Sequence, residues 1–231
     1  HFCPEDDDLT ILSEQLVSLD VGVHVDGAIG DTAITVDLSD KYKELINASD
    51  SALDNALKII APGVGLCEIG KEIEDTINSY GYNPVRNLSG HGLGIYNIHI
   101  KPNIPNFDNK DNTKLRVGQV IAIEPFATTG VGMIHEKGHP TLFSLAKPTH
   151  LRLDIAREVI KHIESYNGLP FTTRWLTKIF SKPIVNYTLN KLQQEESIIS
   201  YPPLVEVENG VVSQSEHTVI VEEKPKIITQ I

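Results

Sequence analysis

Two aspartates, Asp20 and Asp31, stand on either side of an Asp26-Gly27 pair, and their type and spacing are those of a metal-binding hairpin. Asp-Gly between apolar stretches signals a two-residue type I′ turn, because both central positions need positive φ. With Asp26 and Gly27 as the loop, Val25 falls opposite Ala28, Gly22 opposite Asp31 and Asp20 opposite Ala33. Side chains alternate along a strand, so Asp20, Gly22 and Asp31 project from one face. The carboxylates become diagonal cross-strand neighbours, with backbones roughly 7–8 Å apart and side chains able to converge. Like charges converging among Val, Ile and Leu repel, and one divalent cation or a pair of them removes that cost.

The same chemistry recurs at the ends of short apolar runs. Glu124 closes Val120-Ile121-Ala122-Ile123, and Glu216 opens His217-Thr218-Val219-Ile220-Val221. Carboxylates seldom sit there without a partner. His91 lies between Ser89-Gly90 and Gly92, where small residues would let an imidazole approach an ion closely. Four carboxylates and one imidazole suit Mn, Fe, Co or Zn pairs better than a Cys-type structural zinc. Two ions roughly 3.5–4 Å apart lower the pKa of a shared water and present hydroxide at neutral pH, so no Ser or Cys nucleophile is needed. Taken singly, each residue has a plainer reading as a turn carboxylate, a salt-bridged strand end or a hydrogen-bonded histidine. His24 shares the face of Asp20 but lies near the turn and reads as structural, while His135, His139, His150 and His162 receive no role.

These residues need a scaffold, and the periodicities supply one. Ser39 or Asp40 is placed to cap a helix running to about Ile60, with Leu45, Ile46, Leu53, Leu57 and Ile60 as its core stripe. A second helix, from near Cys67 to Tyr80, repeats Ile69, Ile73 and Ile77 on its buried side and stops at Gly81. Strands are expected near Val85–Leu88, Ile95–Ile100 and Val117–Glu124, then helices over Leu151–Tyr166, Thr172–Phe180 and Ile184–Glu196. Final strands surround the Asn209-Gly210 and Lys224-Pro225 turns. The fold class is α/β or α+β with a curved, mainly antiparallel sheet flanked by helices. Residues 1–146 and 204–231 form the expected core, and 147–203 a helical insertion.

A chain of 231 residues with 40% hydrophobic content can bury a substantial core. A formal charge of −11 argues against nonspecific binding of the whole molecule to nucleic acid or anionic membrane. Residues 147–203 carry eight Lys or Arg against five Asp or Glu, hence +3, and leave −14 for the remainder. Three helices and a hairpin resemble a winged helix-turn-helix, yet a mild positive excess is commonly a solvated surface. Cys3 and Cys67 alone make no disulfide framework, which favours a reducing compartment and a cytoplasmic location. No run of about 18 apolar residues and no signal-peptide pattern is present, so neither a membrane span nor a leader is read. His1 is no translation start, and a segment upstream of it is expected.

A set of motifs now stands out: His1-Phe2-x-Pro4, Asp20-Val-Gly-Val-His-Val-Asp-Gly-x-Ile-x-Asp31-Thr-Ala, Asn87-Leu-Ser-Gly-His91, Ile98-His99 leading to Ile104-Pro-Asn106, Ala122-Ile-Glu124-Pro-Phe and Glu216-His-Thr. Together they resemble a type 2 methionine aminopeptidase, most similar to the archaeal form, over nearly the whole chain. The resemblance implies the pita-bread fold of the creatinase and aminopeptidase superfamily, a helical type 2 insertion, and an opening segment ahead of His1 that is missing here. It implies removal of N-terminal methionine from nascent proteins by metal-hydroxide attack at a pair of divalent ions, Co, Fe, Mn or Zn. Asp20, Asp31, His91, Glu124 and Glu216 would be the ligands, with Asp31 and Glu216 bridging. Glu124 would also move the proton, His99 would stabilise the oxyanion, and His1, His99 and Ile98 would contact substrate. The implied partners are peptide or nascent-protein N-termini, with the ribosome as a further partner and no membrane, and the expected state is a monomer. Gly92-Leu93-Gly94 after His91 resembles type 1 enzymes and prolidases, but those relatives place Glu after the second His where Ile100 follows His99 here. A prolidase-like Xaa-Pro peptidase built on the same metal constellation competes, as does a metal-free ribosome- or RNA-binding protein on the same scaffold.

Overall fold

In the computed structural model, which describes residues 13–149 and 151–230, Asp26 and Gly27 take φ of 50° and 87° and join β1 (Leu16–Val25) to β2 (Ala28–Asp37). The strands pair antiparallel with Val25 opposite Ala28, Gly22 opposite Asp31 and Asp20 opposite Ala33, the register the turn dictates. His24 is structural here: its Nδ1 accepts from Gly27 N–H at 3.3 Å, and its ring lies edge-on to Tyr96. A Cβ at position 27 would sit 2.5 Å from the Tyr96 ring, on a backbone where L side chains are strained. Gly27→Ala is therefore expected to lower stability by at least about 1–2 kcal/mol. Urea denaturation checks this, and an unchanged midpoint would contradict it.

Helices α1 (Lys43–Ile59) and α2 (Leu66–Ser79) follow. Neither Ser39 nor Asp40 caps α1. Tyr42 precedes it without a side-chain cap, and Asp37 organises the entry by accepting from Ser39 N–H at 2.9 Å, Ser39 Oγ at 2.6 Å and Tyr42 N–H at 2.5 Å. A carboxylate at the end of β2 reaches these loop donors before the helix begins. On α1 the buried stripe is Leu45, Ala48, Ala52, Leu53, Ala56 and Leu57, with Ile46 half-buried. On α2 it is Ile69, Ile73 and Ile77, and Gly81 at φ 81° ends this helix as a C-terminal glycine should. Both helices share one core with Ile121, Ile123 and Val219 of a sheet and with Val221 just beyond it.

The next strands are β3 (Asn83–Pro84), β4 (Ser89–Gly94), β5 (Asn97–Pro105), β6 (Val120–Ile123) and β7 (Phe126–Thr128). The strand expected at Val85–Leu88 thus shifts to the glycine-rich Ser89–Gly94, against glycine's poor strand propensity. Packing supplies the reason: a Cβ on Gly90 would lie 2.3 Å from Ala122 O, and one on Gly92 2.6 Å from Lys101 O. The glycines around His91 serve the close approach of strands.

Two compact units are present. One spans Glu136–Val205 and holds β9 (Leu142–Leu145), α3 (Asp154–Glu164), β10 (Phe171–Thr172), α4 (Thr173–Thr177), α5 (Lys182–Gln194) and β11 (Ile198–Tyr201), following β8 (Ile134–Glu136), which ends at its border. Its core gathers Phe143, Val159, Ile163, Phe171, Leu176 and Leu189. The other unit takes the described residues up to His135 and from Glu206 onward. After β12 (Leu204–Glu206) and the Asn209 turn at φ 59°, it closes with β13 (Val212–Gln214), β14 (His217–Ile220) and β15 (Lys226–Ile227). Its antiparallel sheets run β15-β14-β6-β4-β5 and β13-β7-β3, and the hairpin joins them through a bridge between Ala33 and Glu216. Among the described residues, no helix is long and apolar enough to cross a membrane.

Candidate metal centre

Four separate strand segments bring their polar ends to one place. β2 carries Asp31, β4 carries His91, Glu124 follows β6, and Glu216 precedes β14. Asp31, His91 and Glu216 present ligand atoms that all lie within 4.8 Å of one another, and the three residues are buried at 5%, 7% and 2% exposure. His91 Nε2 stands 3.5 Å from Glu124 Oε1 and 3.9 Å from Asp31 Oδ2. The Nδ1 edge of the same ring faces Gly92 O at 3.4 Å, so a proton there leaves the Nε2 lone pair turned to the carboxylates. Lone pairs facing lone pairs in a buried site call for a cation between them. Ligands of one ion sit about 2.0–2.2 Å from it, hence up to about 4.4 Å apart, a span that contains both His91 separations. The residues present therefore fit divalent cations.

Asp20 occupies the diagonal position next to Asp31, and its carboxylate accepts from Gln214 Nε2 at 3.2 Å. Much of the residue is exposed, but the carboxylate end turns toward the cluster and loses solvent. Ile98 lies beside the same face, its Cδ1 4.0 Å from where a Gly22 Cβ would be. His99 stacks edge-on to His91 with centroids 4.5 Å apart. The valines of β1 do not surround the aspartates as expected: Val21, Val23 and Val25 project from the opposite face and are exposed. Burial comes instead from β4, β6 and the segment bearing Glu216. His1 lies outside the described residues, as do Cys3 and His150.

Electrostatics follow from this crowding. Loss of solvent and the Asp20 charge raise Asp31 to about 6. Loss of solvent, then Glu124, Asp31 and Asp20, raises Glu216 to about 10. Glu124 is pushed well up by burial and by Asp20 and Asp31, and burial also raises Asp20. Burial and the neighbouring His99 lower His91 to about 4, so it is neutral and a competent ligand at pH 7. An acid with a raised folded pKa contributes stability that is fully present below its unfolded pKa and lost as pH climbs to the folded one. For Asp31 that window is about 4 to 6, and for Glu216 it reaches about 10. His91, depressed to about 4, acts on the other side, losing its contribution as pH falls below 6.5. In chelator, the melting midpoint is expected to fall from pH 6.5 to pH 9 as the carboxylates charge, and Mn²⁺ should restore it. A flat profile in both conditions, read by differential scanning fluorimetry, would contradict this.

Further residues, given no role from the sequence, shape the centre. Gln214 and Thr218 flank Glu216 at a spacing of two, the strand period that puts them on its face. Thr218 Oγ1 accepts from Asp31 N–H at 2.8 Å and donates to Asp31 O at 2.7 Å, which fixes the backbone under that carboxylate. Thr32 Oγ1 donates to Glu216 O at 2.8 Å, tying the hairpin to the other side. Parity with Glu216 was the available signal for Gln214 and Thr218.

The profile of metallopeptidase family M24 matches residues 1–223. The chain is 45% identical over 231 residues to a methionine aminopeptidase of Archaeoglobus fulgidus, covering 99% of this chain and 77% of that relative. A methionine aminopeptidase from Thermotoga maritima superposes with a TM-score of 0.63 at 24% identity, over 95% of this chain and 65% of that one. A thermophilic Arx1 superposes at 0.77 with 16% identity, over 94% of this chain and 68% of that one. At these identities the two structures speak for the fold.

Proposed function

The chain belongs to metallopeptidase family M24, and from that premise we propose that it removes the N-terminal methionine from nascent proteins as a dinuclear-metal aminopeptidase. The observation that carries the proposal is the convergence of Asp31, His91 and Glu216 within 4.8 Å, with Glu124 beside His91. Asp20, Asp31, His91, Glu124 and Glu216 would hold two ions of the Co, Fe, Mn or Zn type. When bound, such ions acidify a water and polarise the scissile carbonyl.

The remaining steps fall to the chain's own groups. Glu124, whose pKa burial and the Asp20 and Asp31 charges raise well above the usual carboxylate range, takes the water's proton and returns it to the leaving amine, a general acid and base role. His99, next to His91, donates a hydrogen bond to the oxyanion. His1 hydrogen-bonds the substrate backbone, and Ile98 lines the pocket for the methionine side chain. Asp20 faces the free α-amino group, which restricts cleavage to chain ends. Residues 147–203 form the helical insertion in this reading. The protein acts as a cytoplasmic monomer on peptide N-termini, with the ribosome as the place where it meets them.

Hydrolysis of Met-Ala-Ser against an Xaa-Pro dipeptide, after reconstitution with Co²⁺ or Mn²⁺, tests the proposal. Release of methionine with little turnover of Xaa-Pro is expected. Preferential Xaa-Pro cleavage, or no hydrolysis by ion-loaded protein, would contradict it.

A further inference from the structure

Glu216 sits on a joint between two ladders. Ahead of it, Val212, Ser213 and Gln214 pair with Thr128, Ala127 and Phe126. Behind it, His217 to Ile220 pair with Ile123 to Val120. Ser215 and Glu216 span the gap, with Ser215 N–H donating to Pro125 O at 3.3 Å and Glu216 N–H to Ala33 O at 2.9 Å. Ala33 N–H also donates to Glu216 O at 3.3 Å, so the backbone of the joint is tied to the hairpin on one side, and side chains are left to tie it to the helix on the other.

The alternation of the strand divides the work. Gln214 and Glu216 face the metal centre, while Ser213 and Ser215 face helix α1. Ser213 Oγ and Ser49 Oγ are 2.6 Å apart, and Ser215 Oγ reaches Ser49 Oγ at 3.0 Å and donates to the Asp50 carboxylate. Ser49 Oγ is also within 3.0 Å of Ile46 O, which anchors the chain of hydroxyls to the helix backbone. Ser49, Ser213 and Ser215 are 0%, 0% and 3% exposed, beside a stripe on α1 otherwise made of Ala and Leu. Buried hydroxyls cost more than alanine unless every one is paired, and an apolar seam would slide where directed hydrogen bonds do not.

We infer that Ser49, Asp50, Ser213 and Ser215 form a positioning device that locks the joint to α1 and thereby sets the depth and orientation of the Glu216 carboxylate. The inference rests on the metal centre proposed above and extends it to residues that touch neither ion nor substrate. Groups bonded directly to ligand side chains govern ion affinity by roughly 10–100-fold, and this network, which acts through the backbone of the joint, is expected at the lower end of that range.

Mn²⁺ binding, followed by electron paramagnetic resonance of free ion, gives a readout independent of catalysis. Asp50→Ala and Ser215→Ala are expected to weaken Mn²⁺ affinity about tenfold. Asp50→Asn keeps an oxygen that can accept from Ser215 and should stay near wild type. Ile73→Val, a core change in α2, should lower the melting midpoint without changing affinity. Wild type that binds no Mn²⁺ would sink the metal centre itself. Wild type that binds, with Asp50→Ala and Ser215→Ala equally tight, would overturn the positioning role alone. Asp50→Asn as weak as Asp50→Ala, or Ile73→Val weakened alongside, would overturn it too, because charge or general stability would then explain the loss.

Discussion

Glu216→Gln is expected to abolish divalent-ion binding while making the ion-free protein more stable at neutral pH. The two effects share one cause. Glu216 is 2% exposed and crowded by Glu124, Asp31 and Asp20, so burial and repulsion hold it protonated up to about pH 10. Near pH 7.5 the unfolded acid is ionised and the folded one is not, which taxes the folded state at about 1.4 kcal/mol for each unit of separation. Coupling spreads that cost over the neighbouring carboxylates, and the neutral glutamine should recover on the order of 1–3 kcal/mol. The same substitution deletes an anionic ligand, and ion affinity should fall by more than about 100-fold, beyond what one-step-removed partners usually cost. Urea denaturation in chelator and calorimetric titration with Mn²⁺ measure the two halves. A variant that binds Mn²⁺ as wild type does would remove Glu216 from the centre.

His99→Ala is expected to lower kcat by roughly 10²–10³-fold while leaving bound ion and KM near wild type, as loss of one oxyanion donor does. His99 lies on β5 beside His91 and within the field of Asp20. Burial lowers its pKa despite that aspartate, so at neutral pH it is an uncharged ring with an N–H to donate. In the proposed function it contacts substrate and is not one of the five ligands, which is why its removal should spare the ions. Steady-state kinetics beside elemental analysis separates the roles. Loss of ion from the variant would make His99 a ligand, and an unchanged kcat would leave it without a part in the chemistry.

Local rules made part of this site legible. Asp-Gly specified the turn, the turn specified the register, and the register placed Asp20 and Asp31 on one face, as the structure has them. Helix periodicity likewise found Ile69, Ile73 and Ile77. Where local propensity and tertiary packing disagreed, packing won: Ser89–Gly94 is a strand because glycine alone lets it lie against Ala122 O and Lys101 O. The expected cap of α1 at Ser39 or Asp40 does not form because Asp37, still on β2, accepts from the Ser39 and Tyr42 N–H groups first. Gln214 and Thr218 could have been found by their spacing from Glu216. The Ser49, Asp50 and Ser215 contacts could not, because they join positions more than 160 residues apart with no local pattern to announce them.

The central claim, that carboxylates and an imidazole from distant strands meet to hold divalent ions, is tested most directly by anomalous diffraction at the manganese edge from crystals equilibrated with Mn²⁺. Anomalous peaks enclosed by Asp31, His91, Glu124 and Glu216, with Asp20 bordering one of them, are predicted. A map with no peak among those side chains at saturating Mn²⁺ would contradict the account.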